Sequence, residues 1–325
     1  MIFYLLAVVL GFALLVWSAD RFVDGAASTA KHLGMPSLLI GILIVGFGTS
    51  APEMVVSAIA AYEGNPALAL GNAIGSNIVN IALILGVTSI VSPIMVNSKI
   101  VKKEIPLLLL IVLLTGYLLL DNSLTLFEGV ILLVGFFALI LWSVYTALKS
   151  RGDSLESEID IELKEHSMSL KLGVIWLIFG LILLIVSSRI LVWGAVGVAV
   201  EFGISDLIIG LTIVALGTSL PELAASVIAA RKGEHDIAIG NVVGSNMFNL
   251  LAVIGIAVVI APMNNIPLEV LQRDWIIMLL LTIALFVMAY GFKGRDGRIN
   301  KVEGTILILC YIAYNTYLGM SLVNS

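Results

Sequence analysis

The sequence predicts an all-α polytopic membrane protein with ten transmembrane helices, arranged as two inverted five-helix repeats. Three observations predict this fold. Of the 325 residues, 60% are hydrophobic and only 12% are charged, which excludes a soluble globular domain. Windows of about 20 apolar residues, enough to cross a bilayer about 30 Å thick, recur along the whole chain. Finally, a stretch of 50 residues, 44–93, occurs a second time at an offset of 169 positions.

Polar segments separate the ten predicted helices. These helices lie near residues 2–19, 37–62, 67–92, 105–121, 124–148, 172–193, 205–230, 236–261, 274–292 and 302–322. The alternating ten-residue pattern of an outer-membrane barrel is absent. The opening stretch MIFYLLAVVLGF carries no basic segment, so we expect no cleavable signal peptide and predict that the first helix is retained.

The positions of Lys and Arg predict how the chain crosses the membrane. With the N-terminus outside, 15 of the 17 basic residues fall in segments that face the cytoplasm, and only Arg189 and Arg273 fall outside. Basic loops stay on the cytoplasmic side. We therefore predict a multi-pass protein of the cell (inner) membrane, with both termini outside and the 149–171 loop in the cytoplasm.

The internal repeat divides the chain into two related halves. IVGFGTSAPEMVVSAIAA at 44–61 matches IVALGTSLPELAASVIAA at 213–230, and GNAIGSNIVN at 71–80 matches GNVVGSNMFN at 240–249. We predict an N-terminal repeat over 1–148 with its motif at 44–93, and a C-terminal repeat over 172–325 with its motif at 213–262. Because five helices is an odd number, the halves cross the membrane in opposite directions. Inverted repeats with matching Gly/Pro-interrupted helices are typical of secondary transporters.

The segment that joins the halves, 149–171, is rich in acidic residues. Its acids do not follow the ligand order of an EF-hand loop, and no glycine stands at the sixth position of such a loop. We predict a solvated linker or a short surface helix.

Two glutamates, Glu53 and Glu222, occupy equivalent places in the repeat and are the only acids that we place near the bilayer centre. An ionisable residue at that depth marks an ion pathway by default. The structural alternative is a polar contact between packed helices. Two carboxylates make a poor pair of that kind, because each needs a cation or a proton.

Prolines next to these glutamates predict interrupted helices. Pro52 and Pro221 have no N–H, so the carbonyls of Gly48 and Gly217, four residues earlier, lose their usual donors. Free carbonyls at membrane depth need a partner, and a bound cation would supply one. We predict breaks in predicted helices 2, 3, 7 and 8.

Further oxygen donors recur beside the glutamates. Ser76 and Asn80 are four residues apart and share one helix face, as do Ser245 and Asn249. A single such residue would be read as an interhelical hydrogen bond, whereas the duplicated set favours ion ligands. The hydroxyl and amide candidates are Thr49, Ser50, Ser76, Asn80, Thr218, Ser219, Ser245 and Asn249. For Asn72, Asn77, Asn241 and Asn246 the choice between ligand and backbone support stays open.

The chemistry of this donor set predicts the kind of ion. All the donors are oxygens, which suits hard cations such as Na⁺ or Ca²⁺ and argues against zinc or copper. Flexible carbonyl and carboxylate ligands suit Ca²⁺ better than Mg²⁺, which holds its water tightly.

The paired motifs GTSAPE…GNAIGSNIVN and GTSLPE…GNVVGSNMFN resemble the two α-repeats of the Ca²⁺/cation antiporter superfamily. The resemblance covers essentially the whole chain and is greatest to the prokaryotic sodium/calcium exchangers. It implies that the Glu53 and Glu222 carboxylates, with the Thr49 and Thr218 carbonyls, hold Ca²⁺. It implies Na⁺ sites formed by these glutamates together with Ser50, Ser219, Ser76, Ser245, Asn80 and the carbonyls of Gly46 and Ala215. Helices 1 and 6 would slide against the rest to alternate access.

Departures from the superfamily pattern refine this expectation. Cation/proton exchangers carry an acid shortly after the Gly-Asn of the second motif, whereas Asn72 and Asn241 are followed by apolar residues and glycine. Potassium-dependent exchangers, and some prokaryotic ones, carry Asp at the position of Asn249. The resemblance therefore favours Na⁺ over H⁺ and a K⁺-independent cycle, and it leaves the role of position 249 open.

The function predicted from the sequence is secondary active antiport of Ca²⁺ against Na⁺ by alternating access, with net charge movement. The alternative is antiport of Ca²⁺ or another divalent cation against H⁺. A passive channel and a serine hydrolase are less favoured; the latter needs a base, and His32, His166 and His235 are predicted in loops. We expect no enzyme activity, no cofactor, no nucleic acid and no obligate protein partner. Ca²⁺ and Na⁺ are expected as substrates, with the lipid bilayer as surroundings.

Overall fold

The chain was analysed as a computed structural model, which describes residues 1–34, 37–64, 66–96, 101–150, 168–201, 215–290 and 297–323. The α-helices in this part of the chain are α1 (Ile2–Leu33), α2 (Ser37–Ile40), α3 (Phe47–Thr49), α4 (Ala51–Tyr62), α5 (Pro66–Ile78), α6 (Gly86–Val91), α7 (Val101–Leu118), α8 (Leu126–Ser150), α9 (Leu170–Glu201), α10 (Ala215–Thr218), α11 (Leu220–Arg231), α12 (His235–Phe248), α13 (Ile254–Ile260), α14 (Ile276–Ala289) and α15 (Lys301–Val323). π-Helical stretches lie at Gly41–Gly46, Val79–Leu85, Asn249–Val253 and Val270–Trp275, and strands β1 and β2 at Ile94–Val96 and Gly297–Ile299.

The protein is a helical membrane protein. Within the described residues, six helices are long and apolar enough to cross a bilayer, or seven if the bent pair Gly41–Thr49 and Ala51–Tyr62 forms one span. The predicted linker 149–171 lies mostly outside the described residues, and so does the first part of the helix predicted at 205–230.

Two predicted helices are longer in the structure than we expected. The first helix was predicted to end near 19, but α1 continues to Leu33. The sixth was predicted at 172–193, and α9 runs from Leu170 to Glu201. The predicted ends were wrong because an apolar window does not determine the residue at which a helix ends, and tertiary packing can extend the helix. Beyond residue 19 a single buried stripe, with Phe22, Val23 and Ala26 fully buried, keeps α1 helical. His32 consequently lies in the last turn of α1 rather than in a loop.

Helices α1 and α9 pack antiparallel along most of their length. The α1 residue Gly11 lies against Leu191 of α9, and Gly25 lies against Gly173 and Leu177. At the centre of the pair the hydroxyls of Ser18 and Ser187, which are 169 positions apart, approach to 3.4 Å. Small residues allow two membrane helices to pack backbone to backbone.

The segment predicted at 37–62 is broken, as expected. The helix that ends at Thr49 and the helix that begins at Ala51 meet at Ser50 with a bend of 47°. In the second half, α10 ends at Thr218 and α11 begins at Leu220, so Ser219 stands at the equivalent position.

The predicted breaks in the third and eighth helices are wrong. Pro66–Val91 and His235–Ile260 are each one continuous span. Each instead widens into a π-helical stretch, at Val79–Leu85 and Asn249–Val253. A π-turn adds one residue without breaking the helix, and such turns are frequent at functional sites. Asn80 and Asn249 both lie in these wider turns.

These two spans form the centre of the fold. In their most apolar windows, 83% of the residues in His235–Ile260 and 72% of those in Pro66–Val91 are buried, against 22% in Leu126–Tyr145. The outer helices therefore leave apolar side chains facing the lipid. A two-stranded antiparallel sheet (Ile94 opposite Ile299) and an isolated bridge between Leu124 and Met263 tie the helix ends together.

The close packing of α1 on α9 gives a test of the fold. A Cβ on Gly25 would lie 2.4 Å from the Leu177 backbone nitrogen, so we expect Gly25→Ala to force the helices apart and cost about 1–3 kcal/mol. Helix propensity alone favours alanine, so a fall in the melting temperature of the detergent-solubilised protein would report the clash. Gly319→Ala, where a Cβ meets nothing within 4 Å, is the control and should not lower it. Equal melting temperatures for the two variants would contradict this packing.

Candidate functional site

Both predicted glutamates lie at the start of a helix. Glu53 is in the first turn of α4 and Glu222 in the first turn of α11, each preceded by a proline within the same turn. Both side chains are buried, with 1% of their surface exposed. The first turn carries the positive end of the helix dipole and unpaired N–H groups, which favour negative charge. The first turns of α4 and α11 therefore stabilise two negative charges that burial at membrane depth would destabilise.

The carboxylates are not fully satisfied by the protein. Ser50 donates a hydrogen bond to Oε1 of Glu222 at 3.3 Å, which places the residue before α4 against the second glutamate. Oε2 of Glu53 and Oε2 of Glu222 have no hydrogen-bond partner. Among the described residues, neither glutamate takes part in a salt bridge. A buried, unpaired charge is costly, so each oxygen needs a cation or a proton.

Thr49 and Asn241 connect the two halves beside the glutamates. The Thr49 hydroxyl lies 3.0 Å from the Val45 carbonyl and 3.1 Å from Oδ1 of Asn241. Nδ2 of Asn241 donates to the Glu222 carbonyl at 3.1 Å and to Oγ of Ser226 at 2.8 Å. Asn241 thus holds the first turn of α11 in place.

Ser57 and Ser226 are functional candidates that the sequence analysis missed. In the first half, Nδ2 of Asn72 donates to Oγ of Ser57 at 3.1 Å, which matches the bond from Asn241 to Ser226 position for position. The signal was available, because Ser57 and Ser226 are also 169 residues apart. In the structure, Nδ2 of Asn72 and Nδ2 of Asn241 are thus engaged by serines, and the choice between ligand and backbone support for these residues stays a prediction.

Gly46 brings a backbone carbonyl close to the second half. The Ser245 hydroxyl lies 3.4 Å from the Gly46 carbonyl oxygen. A Cβ on Gly46 would lie 3.2 Å from the Asn241 carbonyl and from the Ser245 nitrogen, so a larger residue would push the helices apart. Glycine here permits the close approach.

Four asparagines form a crossed network between the central spans. Nδ2 of Asn80 donates to Oδ1 of Asn246 at 3.0 Å, and Nδ2 of Asn249 donates to Oδ1 of Asn77 at 3.2 Å. Nδ2 of Asn77 also donates to the Asn246 carbonyl at 3.2 Å. All four side chains are buried.

The remaining predicted site residues lie on the same short segments. Ser76 and Ser219 are buried, and the Ser219 hydroxyl has no hydrogen-bond partner. Thr218 is the last residue of α10 and is half-buried, while Ala215 is its first residue. These residues lie on the short helix segments that precede or face the two glutamates, and a contact between them and the carboxylates stays a prediction.

The chemistry of the site follows from these donors. In the described part of the chain, no group of three or more His, Cys, Asp or Glu side chains is arranged to hold a metal ion. The donors around the glutamates are hydroxyl, amide and backbone oxygens, which suit hard cations and exchange them readily.

Comparison with known proteins points the same way. The sodium/calcium exchanger protein family matches the chain over residues 3–145 and 172–320. The putative antiporter CaxA of Alkalimonas amylolytica is 48% identical over 316 residues, covering 97% of this chain and 98% of CaxA. The inner membrane protein YrbG of Escherichia coli (strain K12) is 39% identical over 296 residues, covering 89% of this chain and 90% of YrbG.

Solved structures share the fold over nearly the whole chain. Structures of the sodium-calcium exchanger NCX_Mj, one of them soaked with Na⁺ and Sr²⁺, align with a TM-score of 0.81 and 31% identity. The alignment covers 97% of this chain and 98% of that chain.

Proposed function

The chain belongs to the sodium/calcium exchanger family, and from that membership we propose that it exchanges Ca²⁺ for Na⁺ across the cell membrane by alternating access. The observation that carries the proposal is the pair of buried carboxylates, Glu53 and Glu222, each with one oxygen that has no protein partner. A cation that arrives from one side and leaves to the other would fill that need. The ions are the substrates, and the family consists of transporters, not enzymes.

We propose the architecture that the sequence predicts: ten helices in two inverted halves, 1–148 and 172–325, with a cytoplasmic linker at 149–171 and both termini outside. Contacts between equivalent residues support this arrangement. Ser18 meets Ser187 and Asn77 meets Asn246, each pair 169 positions apart. Residues related by a two-fold axis meet only on that axis, and the antiparallel packing of α1 on α9 fits an axis in the membrane plane.

The proposed ligands fall into two groups. For Ca²⁺ they are the carboxylates of Glu53 and Glu222 and the carbonyls of Thr49 and Thr218. For Na⁺ they are the same carboxylates with Ser50, Ser219, Ser76, Ser245, Asn80, Asn249 and the carbonyls of Gly46 and Ala215. The hydrogen bonds from Ser50 to Glu222 and from Ser245 to Gly46 support a shared site, because they bring ligands of both halves together.

Charge explains why exchange is obligatory in this proposal. If the two ionised carboxylates lie about 6 Å apart, they repel each other by roughly 3 kcal/mol at an effective dielectric of 20. Closing the empty, doubly charged site away from water costs free energy. An ion must therefore bind before the site can open to the other side of the membrane. One Ca²⁺ neutralises the site, whereas three Na⁺ leave a charge of +1. Exchange of three Na⁺ for one Ca²⁺ is therefore electrogenic.

A proton-coupled cycle is the second candidate. Buried carboxylates without a cationic partner also accept protons, which favours Ca²⁺/H⁺ antiport. Against it, Asn72 and Asn241 are neutral and engaged with Ser57 and Ser226.

The two glutamates give the first functional test. We expect Glu53→Gln and Glu222→Gln to reduce Na⁺-driven ⁴⁵Ca²⁺ uptake into proteoliposomes to the level of empty vesicles, because each removes one of the two charges that bind the cation. The amide has nearly the same shape, so the protein should still purify as a single species. Glu269→Gln, at an exposed position, is the control and should transport normally. Wild-type uptake in either buried variant would refute the site.

The driving ion and the charge movement give the second test. Internal Na⁺, but not an acid interior, should drive ⁴⁵Ca²⁺ uptake, and replacing K⁺ by choline should leave the rate unchanged. An inside-negative potential should oppose uptake, because each cycle carries one net positive charge outward. The Ca²⁺ ratio at zero net flux should shift about tenfold per ~60 mV. If the Ca²⁺ ratio at zero net flux does not change with voltage, the exchange is electroneutral. If a pH gradient alone drives uptake, the exchange is coupled to protons.

A further inference from the structure

The four crossed asparagines differ in which of their side-chain atoms lack a hydrogen-bond partner. Asn80 and Asn249 each use Nδ2 to bind the other half of the protein, through Asn246 and Asn77 respectively. Their Oδ1 atoms have no hydrogen-bond partner, although both residues are 1% exposed. A buried acceptor without a partner is destabilising. The network therefore leaves two amide oxygens available to another group.

Because an amide is planar, the bonded Nδ2 and the unpaired Oδ1 of each residue are linked. Oδ1 and Nδ2 lie on opposite sides of the same group, so anchoring Nδ2 determines where Oδ1 points. Without the anchor, the amide can rotate and turn its NH₂ group to a cation, which repels it. We propose that Asn77 and Asn246 are positioning residues, which orient the amide oxygens of Asn249 and Asn80 toward the transported cation. This inference rests on the proposed function of the site.

The same geometry accounts for asparagine at position 249. The atom that faces Oδ1 of Asn77 must be a donor. An aspartate there would place an oxygen against an oxygen unless it carried a proton or Asn77 rotated. Asn77 is held against rotation, since its own Nδ2 donates to the Asn246 carbonyl and lies 3.5 Å from the Met278 sulfur. The neutral amide therefore fits this network better than a carboxylate.

A double-mutant cycle on the purified protein tests the positioning role. We expect Asn77→Ala to weaken the apparent affinity for Na⁺, measured by calorimetric titration with NaCl, about tenfold, the equivalent of one well-placed hydrogen bond. Asn249→Ala should have a similar effect. The double variant should bind no more weakly than Asn249→Ala alone, because Asn77 acts through Asn249. Asn315→Ala, on α15, is the control.

The outcomes separate the alternatives. Additive losses of affinity, or a normal affinity in Asn249→Ala, would overturn the positioning role. A melting temperature that falls in Asn77→Ala with unchanged Na⁺ affinity would show a purely structural role. If the wild-type protein bound no Na⁺ at all, the proposed function itself would fail.

An independent observation concerns ion pairs at the edge of the α1/α9 pair. Nζ of Lys232, in the turn after α11, lies 2.7 Å from Oδ1 of Asp20 and 2.6 Å from Oδ1 of Asp24, both on α1. It also donates to the Asp20 carbonyl at 3.1 Å. Lys232 thus ties α1 to the turn between α11 and α12.

The equivalent positions in the other half carry opposite charges. The counterpart of Lys232 is Glu63, in the turn after α4, and the counterpart of Asp20 is Arg189, on α9; both lie at the offset of 169. Both are exposed, and among the described residues neither forms an ion pair. The complementary pair is present in the sequence but is not formed in this state.

Inverted repeats change access when the two halves exchange conformations. A contact that one half makes in one state is then made by the equivalent residues in the other state. We infer that Glu63 and Arg189 form an ion pair in the opposite access state, while Lys232 separates from Asp20. This inference rests on the proposed inverted repeat. An exposed pair contributes about 0.2–1 kcal/mol, so the two pairs bias the states by at most about fivefold and lock neither.

Paired cysteines test the alternation. Cys310 is the only cysteine, so Cys310→Ser provides a cysteine-free background. With copper phenanthroline, Asp20→Cys with Lys232→Cys should form a disulfide in the resting protein. Glu63→Cys with Arg189→Cys should form one only while Na⁺ and Ca²⁺ drive turnover. Either disulfide should stop exchange, and reduction should restore it.

A charge exchange provides the second measurement. Glu63→Lys and Arg189→Glu should each slow exchange up to about fivefold, and the double variant should recover. The pairing is wrong if Glu63→Cys with Arg189→Cys stays reduced during active exchange, or if the charge exchange restores nothing. Absence of exchange in the unmodified protein would count against the proposed function rather than against the ion pairs.

Discussion

The structure depends on burying two carboxylates that form no salt bridge with the described residues. Glu53 and Glu222 lie at the positive ends of α4 and α11, and each keeps one oxygen without a hydrogen bond. Helix dipoles and a single serine reduce the cost of that charge but do not remove it. In the proposed function, the unmet part of this cost is what favours binding of a cation from water. A fully satisfied pair would be a structural contact and would hold nothing.

The rest of the polar network serves to keep this arrangement open. Asn241 uses its donors on Ser226 and the Glu222 carbonyl, and its acceptor faces Thr49. These bonds pair the surrounding groups with one another and do not involve the carboxylate oxygens. The π-helical stretches contribute by displacing Asn80 and Asn249 within otherwise continuous spans. The buried groups without a partner include the proposed ligand oxygens of Glu53, Glu222, Asn80, Asn249 and Ser219, together with Nδ2 of Asn246.

The sequence predicted features that arise within one half and missed those that need both. The break at Ser50 follows from Pro52, and the buried glutamates follow from composition and repeat. The lengths of α1 and α9 were missed, because an apolar window does not determine the residue at which a helix ends. The π-helical stretches have no local signal, since Gly and Asn suit a break equally well. The crossed asparagines need partners from both halves, so a single motif cannot reveal their pairing.

Some contacts occur in both halves of the protein and others in only one, and this difference separates contacts that can persist from contacts that must break when the halves exchange conformations. The crossed asparagine bonds occur in both directions, as do the bonds from Asn72 to Ser57 and from Asn241 to Ser226. Other contacts occur in one half only. Ser50 binds Glu222 while the hydroxyl of Ser219 has no partner, and Lys232 binds Asp20. A bond present in both halves need not break when the halves exchange conformations, whereas a one-sided bond must. In the proposed cycle, the asparagine core would therefore persist, whereas the hydrogen bond from Ser50 and the ion pairs of Lys232 would differ between the two access states.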